Sequence, residues 1–247
     1  MTSQRNALHR SVYEALYYVR RAVRVRDVTI DGIRIQVDYR SWSPLLVHRV
    51  LADRYEVEER KLVPKVVGAE DRVLEIGGGV GLIAMICARI VGEANVFVYE
   101  ANPAIRAAAL ANFEHNGMQI AIEHAAVVGN EYTDDSVTFF VSDNFWSSSL
   151  LDKGGKQKPI TAPAVRLDAL IHKHRPSVII ADVEGAEYDL FRTADLSSVN
   201  KLCVEFHTRY IGAAKVSELI RSLLERGFVL ELEASIGEVL YFSRPGS

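Results

Sequence analysis

The chain has 247 residues, 49% of them hydrophobic and 25% charged, and a formal net charge of -3. This is the profile of a folded chain with room for one large α/β domain and an extension, and the charge balance gives no ground for expecting a nucleic-acid partner. Cys87 and Cys203 each lie in an apolar run and read as buried free thiols of a reducing compartment; with no 18-residue apolar stretch and no signal-peptide core, the expected location is the cytoplasm.

Residues 7–25 carry Leu8, Val12, Ala15, Leu16, Val19 and Val23 at helical spacing. Arg5, Arg10, Arg20, Arg21, Arg24 and Arg26 against Glu14 and Asp27 leave residues 1–27 four positive charges in surplus. Such a stripe either packs on the domain or lays a basic amphipathic helix against a membrane surface or an anionic protein partner. Residues 28–37 alternate apolar and polar side chains around Asp31-Gly32 and predict a β-hairpin. A helix opens at Ser43-Pro44, and a second runs from the RYEVEE segment at 54–59 to near Val67. Residues 1–53 therefore read as an extension and 54–247 as the main domain.

Val73, Leu74 and Ile76 form a short apolar strand. Gly77, Gly78, Gly79 and Gly81 follow as an unobstructed turn, and residues 82–91 continue as a helix. A strand, a glycine turn and a helix together hold nucleotide-like ligands, because bare backbone lets the ligand approach the helix N-terminus. Two registers fit. Gly79, Gly81 and Ala84 match a dinucleotide fingerprint, which favours an NAD(P)-dependent oxidoreductase. Glu75, Gly77, Gly79 and Gly81, an acid leading G-x-G-x-G, resemble motif I of the class I S-adenosylmethionine methyltransferases. The next strand, 95–100, ends in Glu100, placed to accept both ribose hydroxyls, with Ala101 and Asn102 beside it as further cofactor-lining candidates. A helix follows over 103–116 with Gly117 closing it, then a third strand over 120–128 whose small residues Ala125 and Ala126 suit a flat adenine ring.

An extra strand is expected at 136–141, followed by a polar and aromatic stretch over 142–150 that includes Trp146. A basic glycine loop at 152–158 is a candidate lid or acceptor-binding element. Residues 165–170 lead to a short helix. Residues 177–191 give a buried strand, an acidic turn and a helix, and 201–207 a further buried strand ending in Glu205 and His207. An amphipathic helix over 216–226 and two closing strands at 228–232 and 238–242 complete a mainly parallel doubly wound sheet with an antiparallel C-terminal hairpin.

VRLDAL at 165–170, DVEGAE at 182–187, VEFH at 204–207, the Tyr55, Glu56 and Glu59 element and the SSSL segment at 147–150 resemble the FkbM family of methyltransferases. In the glycine turn, Gly78 and Gly79 stand where that family has a small residue and an asparagine. The resemblance implies a class I Rossmann-like fold with an N-terminal helix and hairpin added. It also implies S-adenosylmethionine as cofactor and methyl transfer to a hydroxyl of a sugar, glycan or polyketide-like molecule. The cofactor set it implies is Tyr55, Glu56, Glu75, Gly77, Gly79, Gly81, Glu100, Ala101, Asn102, Ala126 and Asp182. Asp182, Glu184 and His207 are the catalytic candidates: a hydroxyl needs a base, and a histidine with an ordinary pKa near 6.5 suits neutral pH. Glu187 either completes this site or complements its helix dipole. Asp182, Glu205 and His207 form an alternative divalent-cation set, not favoured from the sequence because no ligand spacing is evident. A scaffold that binds cofactor without catalysis is the other alternative.

Overall fold

In the computed structural model the backbone is described for residues 2–142, 148–149 and 157–246, and side chains for 12–138 and 159–246. The chain opens with α1 (Thr2–Ala22), the hairpin β1 (Asp27–Ile30) and β2 (Ile33–Gln36), α2 (Pro44–Leu51) and α3 (Val57–Val66). The nucleotide-type unit follows as β3 (Val73–Ile76), α4 (Leu82–Val91), β4 (Val96–Glu100), α5 (Pro103–His115) and β5 (Ala121–His124). Next come β6 (Ala126–Val128), β7 (Ser136–Ser142), β8 (Ser148–Ser149), β9 (Gln157–Arg166) and α6 (Leu167–His174). The chain ends with β10 (Val178–Ala181), α7 (Glu187–Phe191), β11 (Lys201–Glu205), α8 (Thr208–Ile211), α9 (Ala213–Glu225), β12 (Val229–Leu230) and β13 (Val239–Ser243).

Seven strands form the main sheet in the order β12-β13-β11-β10-β3-β4-β5, parallel from β11 to β5, with β13 antiparallel to both its neighbours. Its central strands are buried on both faces, as parallel strands flanked by helices must be. Alternation divides their side chains: Val73, Val98, Ile180 and Cys203 join the core beneath α4, whereas Leu74, Tyr99, Ile179 and Val204 join the core on the other face. The β1–β2 hairpin belongs to the first core through Val28, Ile30, Ile33 and Ile35. Polar contacts fix it as well: Arg89 donates to the Asp31 and Gly32 carbonyls, and the Gln36 N–H to Asn112 Oδ1. Cys87 and Cys203 are buried thiols, and burial pushes the Cys203 pKa to about 12.

Two expectations are corrected. The single strand over 120–128 is two strands in two sheets. Beyond Ala125 the chain leaves β4 and pairs in parallel with β9, because Ala126 and Val128 pack into a separate small core with Val137 and Ala162 while Ala125 and Val127 face the second core. The basic loop ends sooner than its 152–158 span, since β9 begins at Gln157 and runs antiparallel to β7. Pro159 and Pro163 inside β9 cannot donate to a ladder, which masks a strand in the sequence. Trp146, Ser147, Leu150 and residues 152–156 lie outside the described residues, as do the side chains of Ser148 and Ser149.

For α1 the sequence left two readings. Val12, Val19 and Val23 of the apolar stripe are 59%, 64% and 68% exposed and do not pack on the domain. The helix is seated by a different face: Tyr17 meets the His48 ring edge-on at 4.4 Å, and Arg20 donates to the Leu51 carbonyl at 2.9 Å. Among the described residues no helix is long and apolar enough to cross a membrane.

Candidate active site

The carboxyl ends of β3, β4, β10 and β11 open onto one cleft of about 1460 Å³, its solvent-filled mouth included. In an open parallel sheet this edge is where ligands bind, since the loops there diverge and leave a crevice. One half of the cleft is the glycine turn. The Gly77 N–H donates to the Tyr99 carbonyl and the Asp182 N–H to the Ile76 carbonyl, so the turn starts flush against the end of β10. Gly77 sits at φ +86, and a Cβ there would lie 2.0 Å from the Asp182 carbonyl oxygen. At Gly79, φ +51, a Cβ would fall 2.3 Å from the Tyr55 hydroxyl. That hydroxyl accepts the Val80 N–H at 3.1 Å and hydrogen-bonds the Glu56 carboxyl, tying the start of α3 to the turn. Glu100 at the tip of β4 accepts from the N–H groups of Asn102 at 2.7 Å and Gly79 at 3.3 Å. Ala101, Ala126, Ala125 and Val127 give this half a flat apolar wall.

The other half is acidic. Asp182 and Glu184 come from the turn after β10, Glu205 and His207 from the end of β11, with Glu59 and Glu238 beside them. Glu56 and Glu184 are both held in the left-handed region, at φ 46 and 51, strain that clusters where a side chain must be aimed. His207 is 4% exposed. Its Nδ1 donates to Glu187 Oε1 at 2.6 Å, and the same oxygen accepts the Gly185 N–H at 2.9 Å. His207 Nε2 then faces Asp182 Oδ1, Glu205 Oε1 and Glu184 Oε2 at 3.7, 3.7 and 3.8 Å.

Crowding of these acids away from water raises their affinity for protons. Burial carries Glu56 and Glu59 to about 8 and Glu100 to about 7; like-charged neighbours add to the rise for the first two, and backbone hydrogen bonds oppose it for Glu100. Burial and then the Glu205 charge push Asp182 up, and burial pushes Glu205 up while the His207 charge opposes it. Burial alone would pull His207 down, but the Glu187 hydrogen bond and the Asp182 and Glu184 charges outweigh it and bring it to about 9. The expectation of a histidine titrating near 6.5 is therefore corrected: at neutral pH, with no other cation in the cluster, this ring holds its proton.

The expected residues divide accordingly. Tyr55, Glu56, Gly77, Gly79, Glu100, Ala101, Ala126, Asp182, Glu184 and His207 all line the cleft. Glu75, Gly81 and Asn102 do not. Glu75 alternates with Leu74 and Ile76, so its side chain turns into the core beneath α4, 3% exposed and pushed up in pKa by burial. A Cβ at Gly81 would lie 2.5 Å from the Phe113 ring, so this glycine serves the packing of α4 on α5. Asn102 Oδ1 accepts from the Ala104 and Ile105 N–H groups and caps α5. Glu187, left between two roles by the sequence, is wholly buried and orients His207. Glu59, Glu205 and Glu238 complete the acidic half. Glu205 already stood in the cation set and Glu59 in the family-like element, whereas no pattern in the sequence marks Glu238.

Comparison with known proteins bears on this geometry. No curated protein matches the chain. Among solved structures it is similar to a methyltransferase from Pyrococcus furiosus, at 11% identity over 95% of this chain and 97% of that one, TM-score 0.46. It is also similar to a ribosomal protein L11 methylase from Lactobacillus delbrueckii subsp. bulgaricus, at 17% identity over 75% and 76%, TM-score 0.43. A third is Aeropyrum pernix fibrillarin with natively bound S-adenosyl-L-methionine, at 10% identity over 74% and 72%, TM-score 0.41. The family model of the methyltransferase FkbM domain matches residues 67–230, which span the glycine turn, β10 and β11. The chain belongs to the FkbM family of methyltransferases.

Proposed function

We propose that the protein transfers a methyl group from S-adenosylmethionine to a hydroxyl of a sugar, glycan or polyketide-like small molecule. The observation that supports this is the union, in one cleft, of a nucleoside-shaped half and a proton-accepting half. Glu100 is placed for the ribose hydroxyls, the alanine wall for the adenine, and Gly77, Gly79 and Glu56 for the amino-acid end, where a carboxylate balances an ammonium. Across from them Asp182, Glu184 and His207 line the part of the cleft that faces this half, where a hydroxyl would approach the sulfonium. As its oxygen attacks the methyl carbon, the O–H proton passes to this acidic cluster and the C–S electron pair returns to sulfur. An alcohol is a weak nucleophile, so a proton acceptor at that point raises the rate, by about 10²- to 10⁴-fold in general-base catalysis.

Titration calorimetry should show one S-adenosylmethionine bound per chain and no binding of NAD. Incubation of the protein with methyl-labelled cofactor and an extract of hydroxylated metabolites should place label on oxygen. Binding of NAD in preference to the sulfonium cofactor, or label only on nitrogen or carbon, would overturn the reading.

The exposed stripe of α1 belongs to the same picture. Val12, Tyr18, Val19 and Val23 are more than half exposed beside Arg21 and Arg24, a combination that suits an anionic membrane surface. The helix rests on α2, whose Leu46 and Arg49 line the cleft, so docking α1 would bring the acceptor side toward that surface. The full chain should co-sediment with vesicles containing phosphatidylserine and not with neutral ones, and a chain lacking residues 1–26 should stay in the supernatant. An unchanged pelleting fraction after the deletion removes this role.

A further inference from the structure

We propose that Asp182, Glu205 and His207 form a divalent-cation site in the acceptor half of the cleft. One ligand atom from each, a carboxylate oxygen or a ring nitrogen, lies within 4.8 Å of the other two. Ligands bound to a single ion at about 2.0–2.6 Å stand about 3–5 Å apart, so the spacing is that of a coordination set.

Two further observations point to a ligand. The first is His207 itself. Its side chain is 5% exposed, and its Nδ1 is committed to Glu187, a carboxylate with no solvent exposure. This is how metal-bound histidines are held: the outer carboxylate fixes the ring and leaves the lone pair of the other nitrogen pointing inward. His207 Nε2 points at three carboxylates and reaches none of them, the nearest approach being 3.7 Å, too long for a hydrogen bond. The second is Asp182 Oδ1, sealed from solvent and without a hydrogen-bond partner among the described residues, although the side chain as a whole is 39% exposed. A buried anionic oxygen without a donor is costly, and a cation seated between it and Nε2 satisfies both atoms at once.

The donor set, one imidazole nitrogen and two carboxylate oxygens with an open side toward the cleft, fits an ion of the Mn²⁺ type better than Ca²⁺, which takes oxygen alone. The inference rests on the methyl-transfer reading for its consequence. The acceptor hydroxyl would enter the open coordination position, where the ion makes its proton easier to remove. The O–H bond breaks toward Glu184, 3.8 Å from the same nitrogen, and the oxygen forms its bond to the methyl carbon while the C–S pair goes to sulfur. The charge on the ion is unchanged throughout.

The experiment uses the full chain, stripped with chelator and desalted. Titration with Mn²⁺, followed by loss of the free-ion paramagnetic resonance signal, should reveal one bound ion per chain. Asp182→Asn and Glu205→Gln, which keep side-chain volume, should each weaken it at least 10-fold, while Glu225→Gln, at an exposed position on α9, should stay within 2-fold. Circular dichroism melts establish that the variants fold, and S-adenosylmethionine affinity should be the same with and without chelator. Absence of a bound ion in the parent chain, or parent-like binding by both folded variants, overturns the site. So does full methyl transfer in excess chelator. The ion titration stands even if no hydroxyl acceptor is ever methylated, so failure of the site and failure of the methyl-transfer reading give different results.

Discussion

Replacing Gly77 by alanine is expected to lower cofactor affinity at least 100-fold. The added methyl would lie 2.0 Å from the backbone oxygen of Asp182 and 3.1 Å from its carbonyl carbon, and neither can swing aside as a side chain would. The ends of β3 and β10, joined by the Asp182 N–H to Ile76 carbonyl bond, have to part. Because that junction also aligns the glycine turn with the acidic half, cofactor and acceptor lose their mutual register together. A non-glycine residue at φ +86 adds a cost of about 1–2 kcal/mol. Gly92→Ala is the control, since it has nearly the same φ, +82, with nothing within 4 Å of the new methyl. Calorimetric titration and thermal melting of both variants separate the two contributions. Gly92→Ala should lose only stability, and normal cofactor binding by Gly77→Ala would show that the turn tolerates widening.

Glu187→Ala is expected to reduce turnover about 10- to 100-fold, the usual effect of removing the carboxylate behind a functional histidine. The substitution takes the acceptor from His207 Nδ1 and from the Gly185 N–H at once, and the ring is then free to rotate in its pocket. Glu187 does not line the cleft, so S-adenosylmethionine affinity should stay within 2-fold, and the loss should fall on kcat. Glu187→Gln retains an acceptor oxygen and should recover part of the rate, whereas a purely structural role would track melting temperature in both variants. Equal kcat in all three proteins would remove Glu187 from the mechanism.

Much of this arrangement was legible in the residues. Asp31-Gly32, the glycines at 77, 79 and 81, Pro103 and Gly117 each impose a backbone geometry that only a few residue types adopt, and the elements they delimit stand where expected. What the residues hid has physical causes. Residues 120–128 hold no glycine, proline or other turn residue, so nothing in them marks the point where one sheet hands the chain to another. Pro159 and Pro163 disguise β9. Glu75 was assigned to the cofactor by its place beside the glycines, yet strand alternation alone turns it toward Cys87 and away from the cleft. Asn102 before Pro103 carries the marks of a helix cap, which outweigh its position after Glu100. Glu59, Glu184 and Glu205 meet only because three separate elements converge, and spacing along a chain cannot register that.

The position of β13 has a consequence for how the protein is made. Residues 239–243 pair with β11 on one side and β12 on the other, so β11 stands as an open margin until they have left the ribosome. Glu205 ends that strand and His207 follows two residues later. The nucleoside-shaped half of the cleft can therefore assemble during synthesis before residues 239–243 emerge, while the acidic half is braced only once they have.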